Sequence, residues 1–141
     1  MMQNPKLLNN PPPPEALATR TQSGFTMTYI EGWYAIQVAN EIFGPAQWNR
    51  GFTGKGLQKV HEEVKQTDKG SRLDIGYICE YFVAVGDVVS QDVGYGIGQS
   101  YVSWGDAHES AVKEAVTDAL KRCLRSFGNA FGNCLYDKKW L

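Results

Sequence analysis

A chain of 141 residues suffices for one domain that buries about two thirds of the surface its unfolded form exposes, so no disulfide or metal is needed to explain its stability. Hydrophobic residues at 43% and charged residues at 21% match an ordinary folded, soluble protein and exclude a disordered or fibrous chain. The net charge of −1 argues against a uniformly basic nucleic-acid protein, yet the charge is uneven. Six basic residues face three acids between Ala46 and Arg72, and six face three again from Lys113 to the end.

Residues 1–20 open with Pro5 and the run Pro11 to Pro14, which reads as an extended or disordered arm. One helical turn is expected over Glu15 to Arg20, with Pro14 at its start. A polar stretch, TQSGFTMT, leads into the body, residues 21–141. Apolar residues at Ile30, Trp33, Tyr34, Val38, Ile42 and Phe43 recur at three- and four-residue steps, predicting an amphipathic helix over Ile30 to Phe43 that Gly44 and Pro45 end. Strands follow over Trp48 to Phe52, Leu57 to Gln66, Leu73 to Val85 and Val88 to Gly94, separated by turn signals at Gly54 to Gly56, Asp68 to Gly70 and Gly86. Ile75 to Val85 has apolar or aromatic side chains on both faces and predicts a central or covered strand. Asp106 to Phe127 carries the strongest helical signal, with Val112, Val116, Ala119, Leu120, Cys123, Leu124 and Phe127 on one stripe.

Beside that stripe Lys113, Thr117, Lys121 and Arg125 follow at four-residue steps, and Arg122 projects further round. Such an edge is either solvated or a grip for successive phosphates, and spacing alone leaves both open. Arg50 lies among the aromatics of the segment WNRGF, a mixture that suits single-stranded nucleic acid, where bases stack and phosphates pair. The default place for Trp33, Phe43, Tyr81, Phe82 and Phe127 is the core. The glycines of GYGIG, Gly94 to Gly98, do not open a helix and have the wrong spacing for a dinucleotide loop, so close backbone approach or sheet bending is their expected role. His61 and His108 have no nearby nucleophile and read as surface residues, and no catalytic grouping nominates an enzyme. Cys79, Cys123 and Cys134 have no C-x-x-C spacing and compose no zinc set, so they read as buried free thiols. No metal and no cofactor are expected. The N-terminus lacks a basic region followed by an apolar one, and no apolar run approaches the ~18 residues of a membrane helix, which predicts an intracellular protein without membrane contact.

The segments YIEGW (Tyr29 to Trp33), VANEIFG (Val38 to Gly44), WN (Trp48, Asn49), DVGYG (Asp92 to Gly96), KEAVTDALKR (Lys113 to Arg122), LRSFGNA (Leu124 to Ala130) and GNCLYDK (Gly132 to Lys138) resemble, in order, the N-terminal domain of the Rad-fifty-two family of single-strand annealing proteins. The resemblance runs from about Glu15 to Leu141. It implies an α+β fold in which an antiparallel β-sheet packs against the long C-terminal α-helix, and a homo-oligomeric ring joined by sheet edges and the Phe127 to Tyr136 segment. It also implies ATP-independent binding and annealing of single-stranded DNA in recombination and double-strand break repair, without catalysis. The alternative is a mediator that recruits a recombinase or a single-strand binding protein.

Carried over by position, Lys121 and Arg122 match the family's groove pair, and Arg125 and Lys113 match further basic positions. Tyr34 stands where relatives carry a basic residue and is a candidate for stacking instead. The lysines of a second, outer DNA site are missing from Val85 to Asp87 and from Ser100 to Gly105, which leaves Lys55, Lys59, Lys65 and Arg72 as candidate replacements. Ending at Leu141, the chain resembles the annealing core alone, either as a truncated piece of a longer protein or as a compact bacterial, phage or organellar form, and its near-neutral charge mildly favours the compact form. Its expected place is the cytoplasm or nucleoid in a bacterium or phage, and the nucleus or an organelle in a eukaryote.

Overall fold

The computed structural model describes residues 2–22 and 24–136. In chain order it contains β1 (Leu17–Gln22), β2 (Phe25–Ile30), α1 (Gly32–Phe43), β3 (Asn49–Thr67), β4 (Gly70–Val85), β5 (Val88–Ser100) and α2 (Trp104–Arg125), with 3-10 turns at Pro5–Asn9, Pro14–Ala16, Asn129–Phe131 and Asn133–Tyr136. The class is α+β. One sheet pairs β1 with β2; the other has the order β3-β4-β5, and its two tight connections make neighbouring strands antiparallel. Contacts divide the chain into two compact units: Met1–Asn49 with Ala84–Ser90 and Leu124–Leu141, and Arg50–Val83 with Gln91–Cys123.

In the first unit, the helical turn expected over Glu15 to Arg20 is only the 3-10 turn Pro14–Ala16, and Leu17 begins a strand. Its alternating Thr19 and Thr21 stand opposite Thr28 and Thr26 of β2, and β-branched cross-strand pairs favour the pleated form over a helix. The predicted α1 starts two residues late because Ile30 completes β2, and it ends as expected at Gly44, whose φ of 98° suits glycine. Its buried residues are Ala35, Val38, Ala39, Ile42 and Phe43. The Phe43 ring meets Phe127 edge-on at 5.3 Å, stacks on Phe131 at 5.6 Å and lies 6.2 Å from Trp48. Trp48 Nε1–H donates to Asn40 Oδ1 at 2.9 Å. Near the N-terminus, the Asn4 backbone N–H donates to the Ile42 carbonyl at 2.8 Å and its side chain to the Glu41 carbonyl at 2.9 Å. Trp33 departs from its expected place in the core. With the alanines setting the buried stripe, it sits about 200° of helical arc from Ala35 and is 57% exposed.

In the second unit, the two strands expected over Trp48 to Phe52 and Leu57 to Gln66 belong to one strand, β3. Gly54 and Gly56, at φ 54° and 63°, do not turn the chain back; they bulge the strand, and the Lys55 backbone N–H between them donates to the Glu80 carboxylate of β4. β4 is central as predicted and buries Leu73, Ile75, Cys79, Tyr81 and Val83. β5 continues past Gly94 to Ser100. Its inward positions Gly94, Gly96 and Gly98 lie against the backbone of α2 at Ala107, Ala111, Ala115 and Ala119, so that a Cβ on any of the three would strike main-chain atoms. The buried face of α2 is therefore this alanine row, continued by Leu120 and Cys123. Val112 and Val116, read as part of the stripe, are only half-buried. Ser103 starts the helix by accepting the Asp106 N–H at 3.3 Å.

Asp74 is the one buried charged residue among those described, at 4% exposure. Arg72 clasps it through Nε–H at 2.7 Å and a second N–H at 3.0 Å, and Lys65 Nζ stands 3.5 Å away. The Arg72 hydrogen bonds hold the Asp74 carboxyl below its usual pKa, reinforced by charge attraction from Arg72 and Lys65. A lowered native pKa gives stability that is complete above the ordinary aspartate value of about 4 and is lost as pH falls through the native value. Urea midpoints measured at descending pH will accordingly decline below about pH 4, and Asp74→Asn will show a lower plateau and a flatter acid limb.

Candidate nucleic-acid interface

The cations that the sequence singles out fall on two elements. Lys113, Lys121 and Arg122 lie on α2 within the second unit; Arg125 is the last residue of the same helix and clusters with the first unit. Lys121 and Arg122 are half-buried and separated by about 100° of arc; by the helical period Arg122 falls in line with the alanine row, beyond its end, and Lys121 lies to one side of it. Arg122 Nε–H donates to Asp118 Oδ2 at 2.8 Å, and the same oxygen accepts the backbone N–H of Tyr95 at 3.0 Å. Asp118 thereby orients the guanidinium and ties it to β5. Lys113 is well exposed and pairs with Glu109 one turn earlier, which holds the Glu109 carboxyl below its usual pKa. Exposed pairs of this kind are weak and exchange readily for another anion.

Arg50, Lys55 and Lys59 are all exposed on β3, the strand that β4 separates from β5. Arg50 and Lys59 are about 30 Å apart along an extended strand, so the three form a line rather than a cluster. Lys59 pairs with Glu62 at 3.3 Å. Lys65 and Arg72, the other suggested replacements, are both engaged with Asp74. Tyr34 lies on α1 in the first unit, half-buried; burial first, then Glu41 and Glu15, raise its pKa, so the hydroxyl stays a neutral donor. Lys138 and Lys139, counted in the C-terminal basic excess, lie outside the described residues.

Phe52, an aromatic of the WNRGF segment, is 54% exposed and edge-on to Tyr81 at 5.7 Å. Tyr101 and Trp104, not singled out by residue spacing, are exposed where β5 passes into α2. The turn carrying them is held by Ser100 Oγ, which accepts the N–H groups of Val102 and Ser103 at 3.1 and 3.0 Å. His61 is exposed as expected. His108 instead is half-buried, with Nδ1 2.8 Å from the Tyr77 hydroxyl. The three cysteines are buried and free, and burial first, with Asp92 next, pushes the Cys123 thiol up to about 11, which keeps it unreactive. Among the described residues no group of three His, Cys, Asp or Glu side chains could hold a metal, and no helix is long and apolar enough to cross a membrane.

Comparison with known proteins converges on one family. Residues 2–141 match the family described as Rad52/22 family double-strand break repair protein. The chain is 42% identical over 130 residues to the DNA repair and recombination protein RAD52 of Eremothecium gossypii, covering 91% of this chain and 28% of that protein. It is 39% identical over 132 residues to RAD52 of Saccharomyces cerevisiae, covering 91% of this chain and 26% of that one. With the DNA repair and recombination protein rti1 of Schizosaccharomyces pombe the identity is 38% over 130 residues, again 91% of this chain and 34% of the relative. The chain thus spans about a quarter to a third of the length of these relatives. By the extent of the match and the level of identity, the chain belongs to the Rad52/22 family of double-strand break repair proteins.

Proposed function

We propose that this chain binds single-stranded DNA without sequence preference and anneals complementary strands without ATP, as a homo-oligomeric ring acting in recombination and double-strand break repair. The observation that carries the reading is the partly exposed pair Lys121 and Arg122 near the end of a helix that the glycine and alanine rows lock against β5, with Arg122 oriented by Asp118. A rigid helix carrying neighbouring cations can hold successive phosphates at fixed spacing while leaving the bases available for pairing. Lys113 and Arg125 extend the row along the same helix, and Arg50, Lys55 and Lys59 offer a second line of charge on β3. Annealing needs no bond made or broken: strands held extended with their base edges accessible pair by their own stacking and hydrogen bonding. The glycines of Gly94 to Gly98 are occupied in packing, which removes the feature that could suggest a nucleotide-dependent enzyme.

Anisotropy titrations of labelled oligonucleotides across a salt series test the binding. The expected result is similar affinity for different base compositions and a linear fall of log K with log salt, the signature of phosphate neutralisation. Absence of binding at low salt would overturn the proposal.

A further inference from the structure

The first turn of α1 presents an aromatic pair that the first unit's core does not use. Trp33 is more than half exposed, and its ring stands edge-on to the half-buried Tyr34, with centroids 5.9 Å apart and planes at 87°. The helix buries its other side, Ala35, Val38, Ala39, Ile42 and Phe43. A large indole left in water forgoes the burial that would otherwise stabilise the fold, and Tyr34 restricts its orientation. That combination, an open aromatic ring on a rigid element, is the kind of platform on which nucleobases stack regardless of sequence. The surrounding charge narrows the choice of ligand group. Glu41 and Glu15 are close enough to Tyr34 to raise its pKa, and carboxylates there repel a phosphate. An uncharged planar ring suits this place better than a backbone phosphate.

We infer that Trp33, oriented by Tyr34, stacks on an unpaired base of bound single-stranded DNA, adding affinity without neutralising a phosphate. The inference rests on the proposed DNA binding and gives it a second, salt-independent component. The test compares wild type, Trp33→Ala and Trp33→Phe for binding of labelled oligothymidylate across a salt series, with mass photometry and thermal melts on each. Trp33→Ala is expected to bind about tenfold more weakly at every salt concentration, with an unchanged slope of log K against log salt, an unchanged melt and an unchanged oligomeric state. Trp33→Phe recovers most of the affinity, since phenylalanine keeps a stacking face, but loses much of the quenching of tryptophan emission that the oligonucleotide causes in the wild type.

Wild-type affinity in Trp33→Ala overturns the inference while leaving the DNA-binding reading intact. A flattened slope in that variant also overturns it, by making the contact a phosphate one. An altered oligomeric state with DNA affinity per site unchanged overturns it in favour of a second copy covering the indole. Failure of the wild type itself to bind removes both readings together.

Discussion

Gly96→Ala and Gly98→Ala are each expected to destabilise the chain by about 3 kcal/mol or more, at or above the upper end of the overpacking range. The new methyl group of the first would meet the Ala111 carbonyl and the Ala115 N–H; that of the second would meet the Ala107 carbonyl. These are main-chain atoms of a 22-residue helix, and no rotamer change can move them aside. Relief requires α2 to lift from β5, which would open the contact along the whole alanine row. Gly105→Ala is the control. It lies in the first turn of the same helix with only the Ser103 hydroxyl near, at 3.4 Å, so it should be neutral or stabilise by about 0.5–1 kcal/mol through the helix preference of alanine. Urea midpoints at equal m-value check all three. Wild-type stability in Gly96→Ala would mean that helix and strand are not in backbone contact.

Lys121→Ala and Arg122→Ala are each expected to weaken single-stranded DNA binding by about tenfold or more, the cost of one charge-assisted contact. Each should also reduce the slope of log K against log salt by about 0.7, the value for one phosphate on a single strand. Arg122→Ala should be the more damaging of the two. Removing its guanidinium leaves Asp118, still held by the Tyr95 N–H, as an uncompensated carboxylate beside the proposed phosphate path. Adding Asp118→Asn to Arg122→Ala should therefore recover part of the loss, whereas adding it to Lys121→Ala should not. Anisotropy titrations of the four variants decide this. Equal losses at all salt concentrations with no change of slope would show that the two residues act on folding rather than on phosphate.

Large apolar residues made parts of the fold legible in the sequence: the C-terminal end of α1 at Gly44, the central β4 and the span of α2 all follow from the period and the turn residues. What the period misplaced was the exact face of each helix, and for the same reason in both. Ala35 and Ala39 in α1, and Ala107, Ala111, Ala115 and Ala119 in α2, define the buried stripes, but alanine is a weak signal beside valine or tryptophan. Counting the large side chains turned Trp33 inward and overstated Val112 and Val116. The partners of the alanines were visible as glycines at two-residue steps in β5, Gly94 to Gly98, and read jointly the two rows announce a helix lying directly on a strand. The bulge at Gly54 and Gly56 was not legible, because a glycine pair with a lysine between signals a turn as readily as a bulge; the Glu80 carboxylate accepting the Lys55 N–H decides between them. Of the candidate site, the sequence marked Lys121 and Arg122 as neighbouring cations near the end of α2 and Phe52 as an aromatic beside Arg50, while the exposure of Tyr101 and Trp104 depends on tertiary packing and left no local trace.

Annealing without ATP is the property that most directly separates a strand-pairing protein from one that merely holds DNA or recruits others. The decisive measurement mixes two complementary, end-labelled oligonucleotides with wild-type protein in the absence of nucleotide and follows energy transfer as they pair. The expected result is annealing well above the protein-free rate, slowed in Lys121→Ala and slowed further in Arg122→Ala. Wild-type protein that binds the single strands yet pairs them no faster than buffer alone would contradict the proposed function.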